Sequence, residues 1–355
     1  MLKPDTGQEL LQLFLARGVL ATTAIEGNTL NEDDALKAVQ GTLELPESQQ
    51  YLGQEIQNIL DAANEIKNEL VGSADASPYL TRTKIEHYNE LVLRNLPLED
   101  QTVPGQIRDH SVGVARYRGA PHQDCEYLLD RLCEWLDDSP LNSDESLERV
   151  PYAILKAIIA HLYIAWIHPF GDGNGRTARL IEVQILLAAH LPAPACNLLS
   201  NHYNLTRSEY YRQLDLAGRT GDPIPLIEYA VRGLVDGLDE ALKKIRAQQF
   251  RDRWEQYVYE TFGELKTEAS RRRLRLVLDL SEHYQETSEP TPKGDLRHLS
   301  PRLSEAYAGK TVRMLSRDLN AVLGMELLEV EDEGYVPRDW VLLIFRPQRR
   351  YATTE

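Results

Sequence analysis

Residues 168–179 read His-Pro-Phe-Gly-Asp-Gly-Asn-Gly-Arg-Thr-Ala-Arg. In one loop and the first turn of a helix they bring together a base, a carboxylate, a glycine-spaced turn and two arginines. Upstream, Ala153 to Trp166 is apolar with few breaks, the pattern of a helix through the middle of a domain. His168 precedes Pro169, and a residue before proline is pushed out of the helical region. The helix is therefore predicted to stop there and present His168 at its mouth. After the glycines, Leu180, Ile181, Val183, Ile185, Leu186 and Leu187 restart a second buried helix. Gly173 and Gly175 flank Asn174, so the backbone can turn tightly and aim its N–H groups at an anion at the new helix's N-terminus. Arg176 and Arg179, three apart, share a face and can grip one phosphate chain.

These parts suit the activation of a nucleophile beside a polyphosphate. A neutral histidine near its ordinary pKa of about 6.5 takes a proton from a hydroxyl at neutral pH. Asp172 is a hard oxygen ligand of the kind Mg²⁺ uses alongside nucleotide phosphates. Backbone N–H groups, Mg²⁺ and arginines stabilise charge on a phosphate under attack. The simpler alternative is a glycine-rich turn between two core helices, with His168 as a cap and the arginines solvated. A metal pair of His161 and His168 fails on distance, since seven helical residues span about 10.5 Å. His161 is expected to be a core histidine.

The dodecapeptide resembles the signature of the Fic (Fido) family, His-Pro-Phe-x-Asp/Glu-Gly-Asn-Gly-Arg-x-x-Arg, at every specified position. Nine fixed places match by chance on the order of once in 10^12 windows at ordinary residue frequencies. The resemblance implies a mainly α protein, a Fic-type helical core with a short β-hairpin flap. It also implies a protein adenylyltransferase moving AMP from ATP to a Tyr, Thr or Ser hydroxyl of a target protein. His168 is then the base, Asp172 the Mg²⁺ carboxylate, and Gly173, Asn174 and Gly175 the anion cradle. Arg176 and Arg179 take the β- and γ-phosphates. Transfer of another nucleotide or a phosphoryl group by the same fold is the enzymatic alternative; a nucleotide-sensing, DNA-binding regulator is the non-catalytic one.

Residues 22–28, Thr-Thr-Ala-Ile-Glu-Gly-Asn, resemble the family's inhibitory motif Ser/Thr-x-x-x-Glu-Gly/Asn, with Thr22, Glu26 and Gly27 in register. That resemblance implies a salt bridge from Glu26 to Arg179 in place of the γ-phosphate, hence self-inhibition, and auto-modification on release. In some members of this class the Glu also places water for removal of AMP. Gly105 to Tyr117 is polar and β-branched, broken by Gly113, and suits a hairpin. The family's target-aligning flap lies here, with Val112 and Val114 its expected residues. Tyr211 and Leu214 resemble the segment beside the adenine, and an apolar wall or plain core contacts would suit them equally. Gly218 departs from the family pattern, where an Asn often lies, which leaves the preferred base less defined than the chemistry.

The 355 residues are enough for two or three domains, and 42% hydrophobic with 26% charged residues describe an ordinary soluble protein. A net charge of −16 argues against broad binding to nucleic acid or anionic membranes. Three cysteines without paired spacing point to reduced thiols and a cytoplasmic location. Leu10 to Leu20 is interrupted by Arg17 and preceded by Asp5 and Glu9, so an amphipathic helix is expected there and not a signal peptide. No apolar run approaches the roughly 18 uninterrupted residues of a membrane span.

The layout divides into an N-terminal helical region (1–79), a catalytic core (80–236), a polar helical linker (237–270) and a small unit (271–355). A helix is expected to open at Asn31 or Glu32, with loops at Ser73 to Ser77 and Ser139 to Ser143. In the last unit, Leu274, Val277 and Leu278 mark one helix, Leu303, Ala306 and Tyr307 a second, and Val312, Leu315, Leu319, Val322 and Leu323 a third. Two β-rich runs, Leu327 to Glu331 and Val341 to Phe345, follow around Glu333-Gly334. The order resembles a winged helix-turn-helix. Residues 271–320 carry ten Lys or Arg against seven Asp or Glu, a thin basic face for DNA. Protein docking or homodimer formation is the competing use.

Overall fold

The computed structural model describes residues 4–72, 80–114, 117–139, 141–142, 146–331 and 334–344. Its first unit, residues 4–243, is built from α1 (Pro4–Ala24), α2 (Glu32–Val39), α3 (Gln50–Gly72), α4 (Arg82–Leu93), β1 (Gly113–Val114), β2 (Tyr117–Arg118), α5 (Cys125–Asp137), α6 (Ser146–Ile167), α7 (Asn174–Ala188), α8 (Ala193–Cys196), α9 (Leu198–Leu205), α10 (Arg207–Thr220) and the start of α11 (Ile224–Phe262). Helix α2 opens where expected, by a reciprocal cap: Asn31 Oδ1 accepts from Asp34 N–H at 3.0 Å and Asp34 Oδ2 from Asn31 N–H at 3.3 Å. Ser139, Leu141 and Asn142 lie outside any helix, as a loop there requires, whereas Ser73 to Ser77 fall outside the described residues.

Helix α7 is the axis of this unit. It packs against α6, α3, α4 and α1 and is buried from Arg176 to Leu186. Polar side chains on a helix wrapped on all sides cost free energy unless they meet partners. Glu182 accepts from Tyr203 Oη at 3.0 Å and lies 3.0 Å from His161 Nδ1. His161 Nε2 in turn sits 2.8 Å from Tyr210 Oη, and Gln184 takes the Tyr88 hydroxyl. His161 is thus a core histidine, 3% exposed, with no part in the loop.

The antiparallel hairpin is shorter than its sequence stretch and set to one end of it. Only Gly113↔Arg118 and Val114↔Tyr117 pair, so Gly105 to Val112 forms irregular chain and Arg118 joins the pairing. Contrary to the expectation from uninterrupted runs, Glu148–Ile167 is long and apolar enough, by length and composition alone, to cross a membrane. Here Ala157, Ile158, Ala160, Leu162 and Ile164 of that stretch are buried in the protein core.

The second unit begins at Lys244. The stretch 237–270 holds the end of α11, up to Phe262, and the start of α12 (Glu268–Thr287). There follow α13 (Pro301–Tyr307), α14 (Val312–Gly324), β3 (Leu328–Glu331), β4 (Gly334–Pro337) and α15 (Val341–Ile344). Leu274, Val277, Leu303, Tyr307, Leu315, Leu319 and Val322 form its core with Trp254, as their spacing predicts, but Val312 is 60% exposed at the helix start. The second strand corrects the sequence expectation. Leu328↔Pro337 and Glu331↔Gly334 pair, and Val341–Ile344 is a helical turn. Pro337 has no N–H to extend a ladder, and i→i+3 bonds from Leu342 to Asp339 and Leu343 to Trp340 take over.

One buried ion cluster pins α12 to α14. Asp318, with a fully buried side chain, accepts from Arg272 Nε at 2.8 Å, Arg273 Nε at 2.7 Å and Tyr307 Oη at 3.1 Å. Asp318→Ala strands the buried Arg272 charge and should cost about 3–5 kcal/mol. Urea unfolding of the full chain checks this; a loss below about 1 kcal/mol, the value of a surface pair, would show that the cluster does not hold the unit.

Candidate active site

Helix α6 ends at Ile167, and the next residue reverses the chain. His168 N–H closes the last turn on Ile164 O at 2.9 Å, while its φ of 48° places it in the left-handed region. The helix stops where Pro169 demands, but His168 does not become extended. For a side chain with a Cβ that conformation costs about 1–2 kcal/mol. Arg108, 5% exposed, offsets it by donating Nε to His168 O at 2.7 Å, Nη1 to His110 O at 2.6 Å and Nη2 to Ala120 O at 2.5 Å. One guanidinium thus ties both roots of the hairpin to the histidine's own carbonyl. Burial pushes the His168 imidazole below the usual histidine pKa and the Arg108 charge adds to that. A main-chain contact from Ala165 and the Glu26 and Asp172 charges oppose without reversing it.

The loop 170–174 is clamped by its own asparagine. Asn174 Oδ1 accepts from Phe170 N–H at 2.9 Å and its Nδ2 donates to Phe170 O at 2.8 Å. Gly173, at φ 78°, makes the turn into α7, and Asn89 Nδ2 holds the Asp172 carbonyl at 2.9 Å from α4. The first intrahelical bond of α7 runs from Thr177 N to Gly173 O. Helix geometry therefore leaves the N–H groups of Asn174, Gly175 and Arg176 without helical acceptors. Asp172 is half-exposed and lies 3.2 Å from Arg176 Nη2.

Two arginines lie beneath these groups. Arg176 is held by Glu55 Oε1 from α3 at 3.1 Å as well as by Asp172. Arg179, 1% exposed, donates Nη2 to Glu26 Oε1 at 2.6 Å and to the Thr22 carbonyl at 2.9 Å. Arg176 Nε and Arg179 Nε and Nη1 are buried without a protein acceptor among the described residues. Gly175 permits the close approach of Glu26, since a Cβ built there would overlap Glu26 Oε1.

Glu26 sits at the open side, a third of its side chain exposed. Enough protein surrounds it that desolvation works against its charge, but the Arg179 charge and hydrogen bond, aided by Arg176 and Arg207, hold its pKa below the ordinary carboxylate value. Arg179 shifts the matching way, upward: burial works against its charge, but Glu26, with Tyr210 and Glu182, outweighs it. Glu55 moves oppositely: burial, then the charges of Asp172 and Glu26, raise it despite Asn28 and Arg176.

The sequence thus placed His168, Asp172, Gly173, Asn174, Gly175, Arg176, Arg179 and Glu26 in one cluster, and the structure brings these together. Thr22 contributes its main-chain carbonyl, with Gly27 at φ 106° just past the carboxylate. Val114 lies in β1 and Val112 at its root, where the Val112 carbonyl accepts from Gly119 N–H at 3.3 Å. Tyr211 Oη reaches the Ile25 carbonyl at 3.3 Å, next to Glu26 in the chain, while Leu214 is half-buried against the core. Neither lines the apolar cavity of about 340 Å³ next to His168, which is walled by Ala120, Leu128, Tyr163, Trp166, Ile167, Gly218 and Gly221. Sequence reasoning missed Arg108, Asn89, Glu55 and Asn28. Arg108 lies within Gly105 to Tyr117 and Asn28 ends residues 22–28, but their partners are distant in sequence; Glu55 carries no local mark on its helix.

Fold and site define a helical domain that presents buried arginines and free helix N–H groups to an anion beside a neutral histidine. Residues 79–186 match the Fic/DOC family, and the chain carries a Fic domain there. It is 30% identical over 224 residues to "Protein adenylyltransferase fic-1" of Caenorhabditis briggsae, covering 60% of this chain and 38% of that protein. The chain spans less than half the length of the curated relatives it matches first. Among solved structures, Fic-1 from C. elegans superposes with a TM-score of 0.53 at 25% identity, covering 69% of this chain and 65% of that one. A Fic family protein from Desulfovibrio desulfuricans G20 shares the fold at TM-score 0.54 and 20% identity, over 89% of this chain and 81% of that one.

The Glu26–Arg179 pair has a definite pH signature. A carboxylate held below its unfolded value adds stability above that unfolded value, about pH 4.3, and loses it as pH falls through the folded one. Parent protein should therefore melt above Glu26→Gln at pH 7, with the gap closing below about pH 4. Exposure of the carboxylate keeps the gap modest. Melting curves from pH 7 to 3 check it; a constant gap would assign the difference to shape and not charge.

Proposed function

We propose that this chain is a protein adenylyltransferase restrained by its own N-terminal segment. The observation that carries this is the set of buried guanidinium nitrogens, Arg176 Nε and Arg179 Nε and Nη1, that lack acceptors among the described residues, beside the N–H groups of α7 that have no helical acceptor. Buried donors call for acceptors, and a polyphosphate supplies several. The relatives' names, protein adenylyltransferases, supply the reaction class.

In this reading ATP lies with its β- and γ-phosphates on Arg176, Arg179 and the start of α7. His168, neutral at physiological pH, accepts the proton of a Tyr, Thr or Ser hydroxyl that the hairpin at Val112 and Val114 aligns. The hydroxyl oxygen bonds to the α-phosphorus, the bond from that phosphorus to the bridging oxygen breaks, and pyrophosphate leaves with its charge held by the arginines. Asp172 fits Mg²⁺: it is half-exposed, its donors are hard oxygens, and that ion uses one or two carboxylates with substrate phosphates. Bound there, Mg²⁺ would neutralise charge on the phosphates. Glu26 takes the Arg179 donor that the γ-phosphate needs and sets a negative charge in its path, so transfer is restrained until Glu26 withdraws.

The test is mass spectrometry after incubation with ATP and Mg²⁺. Glu26→Gly should add AMP to itself or a target well above the parent level. His168→Ala in that background should lower transfer by at least about 10² with ATP binding retained. Parent-like transfer without His168 would remove it from the role of base, and adducts of another mass would redirect the group transferred.

The metal reading predicts that Asp172→Ala in the Glu26→Gly background loses transfer, and that chelation of divalent ions does the same with Asp172 intact. Undiminished transfer after complete chelation would leave the phosphates to the arginines alone.

A further inference from the structure

Glu55 stands between Arg176 and the segment that carries Glu26, and contacts both. It lies on α3 with its side chain 17% exposed. One oxygen, Oε1, takes Arg176 Nη1 at 3.1 Å; the other, Oε2, accepts Asn28 Nδ2 at 2.8 Å. Asn28 is 6% exposed and also donates to Leu52 O at 3.0 Å while accepting Leu30 N–H at 3.1 Å. Both amide donors and its oxygen are thus engaged. Glu26 and Asn28 flank Gly27, so the carboxylate that meets Arg179 and the amide that meets Glu55 are two residues apart across one glycine. The segment is tied to α7 through Glu26 and to α3 through Asn28, besides the Tyr211 bond to the Ile25 carbonyl.

We propose that Glu55 is a positioning residue that couples the two phosphate arginines, tying withdrawal of the Glu26 segment to engagement of Arg176 by nucleotide. The inference rests on the proposal that Glu26 restrains nucleotide binding. A phosphate that recruits Arg176 competes with Glu55 for the same guanidinium, and Glu55 is the anchor that keeps Asn28, and with it the inhibitory segment, in place. Electrostatics points the same way. Glu26, Glu55 and Asp172 set three carboxylates against the two guanidiniums of Arg176 and Arg179, leaving one negative charge for an incoming polyphosphate to meet. Without Glu26 the count is neutral. Each contact that holds Glu26 in place therefore opposes the nucleotide.

Two substitutions separate this coupling from simple structure. Asn28→Ala cuts the tie to α3 and changes no charge. Glu55→Gln keeps shape, but its amide has a single acceptor atom and cannot serve both Asn28 and Arg176. Calorimetric titration with ATP and Mg²⁺ is the readout, with melting temperature as the check on folding. In the chain that keeps Glu26, both variants should bind ATP about 5-fold or more tighter, the lower end of ordinary coupling between sites. In the Glu26→Gly background, Asn28→Ala should change affinity less than about 2-fold, and Glu55→Gln should keep only the smaller gain from removing one negative charge. Equal shifts of Asn28→Ala in both backgrounds, or no tightening by either variant with Glu26 present, would overturn the coupling. If Asn28→Ala folds poorly, the isosteric Glu55→Gln carries the comparison through its larger effect with Glu26 present. Because binding is the readout, absence of AMP transfer from every variant would defeat the proposed activity and leave the coupling standing on the titrations.

Discussion

The guanidinium of Arg179 sets the terms for the N-terminal half of the first unit. It is held in the middle of a helix that other helices enclose, and a charge removed from water costs several kcal/mol unless it is met. Its Nη2 finds two acceptors, Glu26 Oε1 and the Thr22 carbonyl, both delivered by the end of α1. The requirement arises 153 residues away from the carboxylate that answers it. Helix α1 therefore packs where its last turn can reach α7, and Gly175 keeps that approach open by having no side chain to fill it.

The pair is unequal, and the inequality is what makes it useful. Arg179 is 1% exposed and Glu26 33%. A pair buried on both sides would lose about 3–5 kcal/mol when one partner left, and neither member could be exchanged. Here the carboxylate can return to water, while the cation stays buried and needs another anion in its place. Such a site keeps a fixed positive centre with a replaceable partner. The neighbouring arginine is arranged differently, since Arg176 is shared between Glu55 and Asp172 on two separate elements. An anion entering from solvent therefore meets one arginine paired with a single carboxylate and one shared between two.

Local signals carried far for the loop and poorly for its supports. Proline, two glycines and two arginines at set spacing define the turn, the helix start and the shared face, because each acts within a few residues of itself. Arg108, Asn89 and Glu55 act across 60, 83 and 121 residues, and no periodicity announces such contacts. Pro169 marked the end of α6 correctly, yet the left-handed turn at His168 depends on the Arg108 bonds that hold it. In the second unit the helices were legible from their apolar spacing, while Val341 to Ile344 was not. Its β-branched and aliphatic residues fit either state, and only Pro337 and the turn after it decide.

His168 is positioned by its backbone, and that shapes what the rest of the site can do. A base fixed through a carboxylate on its ring would be held toward the charged form. Here the ring keeps a lowered pKa because it is enclosed and faces the Arg108 charge, while Arg108 grips the main chain instead. The same guanidinium holds the carbonyls of His110 and Ala120, so the roots of the hairpin and the histidine form one hydrogen-bonded body. Whatever aligns against β1 is thereby aligned with the imidazole as well. The N-terminal segment contacts Arg179 instead, through Glu26 and the Thr22 carbonyl. Under the proposed reading, His168 and the hairpin stay assembled while Glu26 withdraws, and the restraint acts on the anion and not on the geometry of proton transfer.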